Sequence, residues 1–221
     1  MTNNGKMYTN VMEQLNFEPM LDASNITVSI HGDHDIVILG GAVKSFSEKL
    51  AAEKAIKRLA KVRSIANEIE VDLSIQYHKT DVEIAKEVTN TLQNNTITAS
   101  RNIQAVVKNG IVTLTGDVDW YYQKSIAFEA IDKLFGIKSI INNIAVKPLI
   151  IIDSSKVKNQ ITQEFERHAR IDAGKIKVIV EGKKIILNGE VRNYDEMEDA
   201  KDAAWSIAGV QEVENNLTIE W

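Results

Sequence analysis

One short segment occurs three times in the chain, and this repeat constrains the fold more than any other feature. The copies are IVILGGAV at 36–43, IVTLTGDV at 111–118 and KIILNGEV at 184–191. Matching residues recur over most of each copy, so the chain is expected to consist of three similar units. We predict domains at 1–77, 78–150 and 151–221. The aligned structural positions are Gly41, Gly116, Gly189, Ala55, Ala130, Ala203, Asn67, Asn142 and Asn215.

Each copy has the pattern helix, strand, strand, helix, strand. In the third copy, Val157, Ile161 and Phe165 recur every four residues, as on one face of a helix. Ile176 and Val178 then alternate with other side chains, as in a half-buried strand. We therefore predict an α+β fold of three tandem αββαβ domains. Each domain is expected to be a small three-stranded mixed sheet with two helices on one face.

The first copy departs from the other two at its helices. Its opening helix is expected to be looser, around Val11, Leu15 and Phe17, because Pro19 breaks it. Lys61 stands where the other copies have a glycine after the second helix. We therefore expect that helix to end without a left-handed cap.

Composition excludes several classes of protein. The chain has no cysteine, which excludes disulfide scaffolds, thiol catalysis, thiolate zinc sites and iron–sulfur clusters. Its net charge of −5 argues against nucleic acid as the main partner. It contains no apolar stretch of about 18 residues that would span a membrane. Its start has no apolar signal segment, so we expect a cytoplasmic protein, with peripheral membrane attachment open, or a periplasmic one if the start is not native.

The repeat resembles the BON domain. In the third copy the carrying residues are G-E-V at 189–191, the alanines Ala200 and Ala203, and GVQEVENNL at 209–217. The second copy has the related pattern GIKSIINNI at 136–144. The resemblance covers nearly the whole chain, as in bacterial proteins with three BON domains. It implies a role in osmotic and envelope stress and binding to phospholipid surfaces.

No catalytic pattern accompanies the repeat. The serines lie outside a Gly-x-Ser-x-Gly elbow, and no glycine-rich phosphate loop is present. We therefore predict a non-enzymatic protein without a cofactor. His31 and His34, beside two aspartates, form a weak candidate metal site. A polar hairpin turn is the preferred interpretation of that segment.

Two surface features are candidates for binding. Trp120 and Tyr122 flank a position that is aromatic in all three copies, and they are expected to meet either a membrane interface or another domain. The domain contact is the preferred interpretation. A basic rim is predicted around the end of the first helix and the hairpin of the third copy. Its residues are Arg167, Arg170, Lys175, Lys177, Lys183 and Lys184.

Three functional hypotheses follow, and the oligomeric state stays open. The first is a peripheral binder of anionic phospholipid. The second is a protein-interaction or chaperone-like module that uses the second sheet face, where Ile36, Ile38, Ile179 and Ile186 are apolar. The third is a potassium sensor that coordinates the ion with backbone carbonyl groups, which would leave no side-chain signature.

Overall fold

A computed structural model describes residues 3–31, 36–59, 61–73, 79–99, 102–149, 154–168 and 170–220. The elements of the first repeat are α1 (Asn3–Phe17), β1 (Ile26–His31), β2 (Ile36–Val43), α2 (Phe46–Lys57), β3 (Ser64–Asn67) and β4 (Glu70–Val71). Those of the second are α3 (Asp81–Asn94), β5 (Asn102–Lys108), β6 (Ile111–Val118), α4 (Tyr121–Ile131), β7 (Ser139–Asn142) and β8 (Ala145–Val146). Those of the third are α5 (Ser154–Arg167), β9 (Ile176–Glu181), β10 (Lys184–Val191), α6 (Tyr194–Trp205) and β11 (Glu212–Ile219).

The sheets are mixed, as the sequence predicts. In the third repeat β10 lies centrally, antiparallel to β9 and parallel to β11. In the first repeat β2 is central and pairs with β1 antiparallel and with β3 in parallel. There the third strand is interrupted, and its continuation β4 also pairs with β2. The second repeat has the order β5-β6-β7, with β8 pairing β6 in the same way. The prediction of tandem α+β domains is therefore confirmed.

The aligned glycines occupy positions that no other residue fits. Gly41, Gly116 and Gly189 have φ angles of +92°, +126° and +138°. A Cβ atom on any of them would lie only 2.0–2.1 Å from a backbone carbonyl oxygen at the start of the neighbouring strand, that of Asn25, Asn102 or Lys175. The central strand bends there against its partner, which requires a residue without a side chain.

Both helices of a repeat contribute to its core. In the third repeat Val157, Ile161 and Phe165 of α5 are buried with Ile185 and Leu187 of β10. The aligned alanines lie at this helix–sheet contact. Ala55 is fully buried and Ala203 nearly so, while Ala130 is half-buried. Small side chains at this position let the helix lie close to the sheet.

Two expectations for the first repeat are wrong. The opening helix is regular, and Val11 and Leu15 are fully buried, but Phe17 at its end is 81% exposed. Lys61 does not avoid the left-handed conformation, because its φ is +68°, close to the region that Gly136 and Gly209 adopt. The chain reversal after the helix therefore imposes the same backbone geometry on a residue with a side chain.

The chain divides into two compact units. The first comprises Met1–Thr91, Ala105–Thr113 and Ala130–Ile141, and the second comprises Leu92–Gln104, Leu114–Glu129 and Asn142–Trp221. This division passes through the second repeat, so the domain boundaries given above stay a prediction. None of the helices in the described ranges has both the length and the apolar character needed to cross a bilayer.

Candidate binding surfaces

The predicted basic rim of the third repeat is largely paired with carboxylates. Arg170 lies 3.0 Å from Asp199, and Lys184 lies 3.0 Å from Glu212 and 2.6 Å from Glu214. The hydrogen bonds that Lys184 donates to Glu214 and Glu212 raise its pKa above its usual range. Its charge is therefore balanced locally, and less of it is available to an anionic surface.

The remaining rim residues are less uniform. Arg167 pairs with Glu164, and Lys175 pairs with Glu220. Lys183 donates a hydrogen bond to the carbonyl oxygen of Pro148 at 3.2 Å. Lys177 is exposed on β9. The six residues do not form one cluster, because Lys175 precedes β9 while Lys183 and Lys184 lie at the hairpin, at the opposite end of the strands. Most of them already have acceptors.

The aromatic residues at the start of α4 meet a ring from α6. Tyr121 stacks on Trp205, with ring centroids 4.2 Å apart and an angle of 10° between the planes. Tyr121 is the position that is aromatic in all three copies, and here it joins residues of the second and third repeats within the second compact unit.

Trp120 and Tyr122 lie beside this stack. Their ring centroids are 6.4 Å apart, with the planes tilted by 40°. Tyr122 is 51% exposed, and Trp120 is half-buried. Both rings line a groove together with Tyr121, Trp205 and two carboxylates from different helices, Glu129 and Asp202. The sequence indicated the first two rings but not Trp205, which is distant in the chain.

The open face of the sheet in the second repeat has a different character. Exposed residues alternate along β5, ending with Val106 and Lys108. On this face Val106 is 62% exposed, Ile111 39% and Ile141 45%. Lys138 is exposed close to the hairpin, where its backbone N–H donates to the carbonyl oxygen of Gly110 at 2.8 Å. All of these residues lie in the first compact unit.

Four isoleucines on the second sheet face are predicted above as a protein-binding surface, and their side chains are partly covered. Ile36, Ile38, Ile179 and Ile186 are all half-buried. The exposed apolar side chains described above therefore belong to the second repeat, which the sequence did not single out.

A polar residue is third in the second helix of each repeat, and it is half-buried in the first repeat and buried in the other two. Glu48, Gln123 and Glu196 occupy the same repeat position, and Gln123 and Glu196 are 3% and 2% exposed. Gln123 accepts hydrogen bonds from the backbone N–H groups of Asp119 and Trp120. These residues hold the turn from the central strand into the helix. The capping pattern at Ser45 and Glu48, or at Asn193 and Glu196, could have revealed them from sequence.

Glu196 makes the most extensive of these contacts. Its carboxylate accepts from the backbone N–H of Asp172 at 2.7 Å, and from the backbone N–H and Nε of Arg192 at 2.8 and 3.0 Å. Burial raises the pKa of Glu196, but these hydrogen bonds outweigh burial and hold the pKa below its ordinary value. The residue is structural.

The aligned asparagines also have structural roles. The side-chain oxygens of Asn67, Asn142 and Asn215 accept hydrogen bonds from the backbone N–H two residues further on. The amide groups of Asn67 and Asn142 donate to carbonyl oxygens of the preceding helix, those of Lys49 and Lys124. They tie the third strand to the helix before it.

The candidate metal site is only partly described. His31 is exposed at the end of β1, and His34 lies outside the described residues. Within the described ranges, no group of three or more His, Asp or Glu residues is arranged to hold a metal ion.

Comparison with known proteins identifies the repeat. The BON domain profile matches residues 6–72, 80–148 and 153–220. The chain is also similar to Osmotically-inducible protein Y of Escherichia coli (strain K12). The two are 27% identical over 135 residues, which are 58% of this chain and 67% of that protein.

Two solved structures of CdsD, a structural protein of the type III secretion system of Chlamydia trachomatis, are also similar. The first, of its C-terminal domain, is 14% identical with a TM-score of 0.27 and covers 96% of each chain. The second has the same identity and TM-score and covers 97% of this chain and 92% of its own. Scores this low support no conclusion about this chain. The three profile matches span most of its length, and the chain belongs to the BON domain family.

Proposed function

We propose that this chain is a non-enzymatic protein of the osmotic or envelope stress response that binds anionic phospholipid surfaces peripherally. Three BON domains and the similarity to an osmotically inducible protein support the stress role. A position at the cell envelope would be consistent with this function.

The observation that carries the membrane part is the open sheet face of the second repeat. Val106, Ile111 and Ile141 expose apolar side chains there, next to Lys108 and Lys138. Within the described ranges neither lysine pairs with a carboxylate. Apolar side chains inserted among head groups and lysines facing phosphates are the two components of peripheral membrane binding.

The third repeat provides an internal contrast at the same positions. Lys108 corresponds to Glu181, and Ile141 corresponds to Glu214. In the third repeat the lysine at the start of the central strand, Lys184, is bound by two glutamates. The open face of the second repeat is therefore a better anion-facing surface than the predicted rim.

Vesicle co-sedimentation of the full chain tests this function. Binding to phosphatidylcholine vesicles is expected to increase when phosphatidylglycerol is included and to weaken with added salt. The double variant Lys108→Gln, Lys138→Gln removes about 1 kcal/mol for each lysine, which is roughly a thirtyfold loss of affinity.

The matched control is Lys6→Gln with Lys158→Gln, which removes the same charge at exposed positions on α1 and α5. An equal loss in the control would mean that only net charge matters and would overturn the assignment to the sheet face. A larger loss in Lys177→Gln, Lys183→Gln would return the site to the predicted rim. Absence of any binding to anionic vesicles would overturn the phospholipid function and favour a protein partner.

A further inference from the structure

The groove lined by Trp120, Tyr122, Tyr121 and Trp205 combines aromatic rings with negative charge. The tilt of 40° between Trp120 and Tyr122, with centroids 6.4 Å apart, forms a wedge of two rings. The stacked pair Tyr121 and Trp205 joins α4 to α6 at the same groove. The whole groove lies in the second compact unit.

Two carboxylates line the groove, and no basic residue does so among the described residues that form it. Glu129 comes from α4 and Asp202 from α6. The nearest candidate partner in sequence, Lys201, pairs instead with Glu198. Within the described ranges neither Glu129 nor Asp202 forms a salt bridge. Within the described ranges, the two carboxylates of the groove are therefore not neutralised by a salt bridge.

The environment of Asp202 reinforces this charge pattern. Burial raises the pKa of Asp202, and Lys201 opposes the shift. Glu198 and Asp199 on α6, together with Glu129 on α4, raise the pKa further. A cation in the groove would relieve this repulsion and stabilise the ionised carboxylate.

The chemistry of the lining selects among cations. Within the described ranges, no group of three or more His, Asp or Glu residues is placed to hold a metal ion, so the groove lacks the oxygen cage of a calcium site. A quaternary ammonium group donates no hydrogen bonds, and its methyl groups pack against aromatic faces. Aromatic rings and carboxylates that line one groove form an arrangement that suits such a cation.

We propose that this groove binds a free, water-soluble quaternary ammonium compound, with the trimethylammonium group against Trp120 and Tyr122 and its charge facing Glu129 and Asp202. The site is separate from the sheet-face residues proposed for phospholipid binding. The binding of a small ligand in the groove does not depend on phospholipid binding by the sheet face.

Calorimetric titration of the full chain with choline chloride, at constant ionic strength set with sodium chloride, tests the site. The comparison ligand is 3,3-dimethylbutan-1-ol, which has nearly the same shape as choline without the charge. We expect saturable choline binding at one site per chain and binding of the neutral alcohol at least about tenfold weaker. Equal binding of the two ligands, or no binding of choline, would overturn the proposal.

Variants locate the site. Trp120→Leu and Glu129→Gln are each expected to weaken choline binding by about threefold or more, whereas Trp120→Phe retains a ring and should weaken it less. The control Tyr8→Leu removes an exposed ring from α1 and should have no effect. Circular dichroism and the melting temperature establish that each variant folds.

A last comparison distinguishes free ligand from lipid. Phosphatidylcholine vesicles present the same trimethylammonium group on a membrane. If choline competes with these vesicles for the groove, the site accepts both the free ligand and the lipid head group. The proposal is supported in that case only if free choline also binds saturably. Binding to the vesicles without binding to free choline would overturn the proposal of a soluble ligand. An equal loss of choline binding in Tyr8→Leu would overturn the assignment to this groove.

Discussion

The rings of Tyr121 and Trp205 stack face to face, with centroids 4.2 Å apart and 10° between their planes. Tyr121 begins the second helix of the second repeat, and Trp205 ends the second helix of the third. The stack therefore couples two repeats directly, and it does so through a position that is aromatic in all three copies.

A double-mutant cycle of Tyr121→Ala and Trp205→Ala measures this coupling. Offset or stacked aromatic pairs contribute about 0.5–1.5 kcal/mol beyond the area they bury. We expect a coupling energy of that size in the free energy of urea unfolding. Tyr122→Ala combined with Trp205→Ala is the control, because Tyr122 is 51% exposed. Strictly additive losses in the first pair would contradict the role of the stack.

Gly189→Ala is expected to destabilise the third repeat severely. The added Cβ would lie 2.1 Å from the carbonyl oxygen of Lys175, at a φ of +138°. Strain and overlap together should cost about 3 kcal/mol or more. Thermal unfolding followed by circular dichroism measures the loss.

The control for this change is Gly182→Ala in the hairpin turn of the same repeat. Gly182 also has a positive φ, +60°, but a Cβ there would meet nothing within 4 Å. Only the conformational penalty of about 1–2 kcal/mol is expected. Similar losses in the two variants would show that close strand approach is not what requires the glycine.

The elements and the glycine positions could be predicted from sequence because both depend on local patterns. The helix and strand periods are visible within a dozen residues, and the repeat supplied three observations of each. The buried Glu196 was equally visible as a helix-capping pattern, and attention to the spacing from Asn193 would have found it.

The pairing of charges could not be predicted in the same way. Lys184 meets Glu212 and Glu214 because β10 and β11 pair in parallel with a particular register. Most of the residues predicted as a basic rim therefore form ion pairs with carboxylates in the structure. The groove could not be predicted for a related reason, since Trp205 meets Tyr121 only through the packing of α4 and α6.

Lys61→Gly is expected to stabilise the first repeat. Lys61 has a φ of +68°, and a residue with a Cβ in the left-handed region carries a penalty of roughly 1–2 kcal/mol. Glycine removes this penalty but gains freedom in the unfolded chain, which leaves about 1 kcal/mol of net stabilisation. Urea unfolding measures it. Lys61→Ala keeps the backbone strain and should change the free energy of unfolding little. If alanine stabilises the chain as much as glycine does, the effect comes from loss of the lysine charge.

The stability of the third repeat should depend on the ionisation of Glu196. Its pKa in the folded chain lies below the ordinary value of 4.5. The ionised carboxylate therefore stabilises the fold above that value, and the contribution is lost as the pH falls through the folded pKa. At neutral pH, Glu196→Gln should cost about 1.5–3 kcal/mol, the range for hydrogen bonds with a charged group.

Urea unfolding at a series of pH values measures this dependence. The difference in unfolding free energy between the unsubstituted chain and Glu196→Gln should shrink as the pH falls below about 4.5, because the unfolded chain then binds a proton at Glu196. It should level off once the pH lies below the folded pKa, where Glu196 is neutral in both states. The second repeat already has an uncharged residue at this position, Gln123, so Gln123→Asn is the control that shortens a buried amide without changing charge. Its cost should not vary over the same acidic range. If the difference in unfolding free energy between the unsubstituted chain and Glu196→Gln is the same at all pH values, the charge of Glu196 does not contribute to stability.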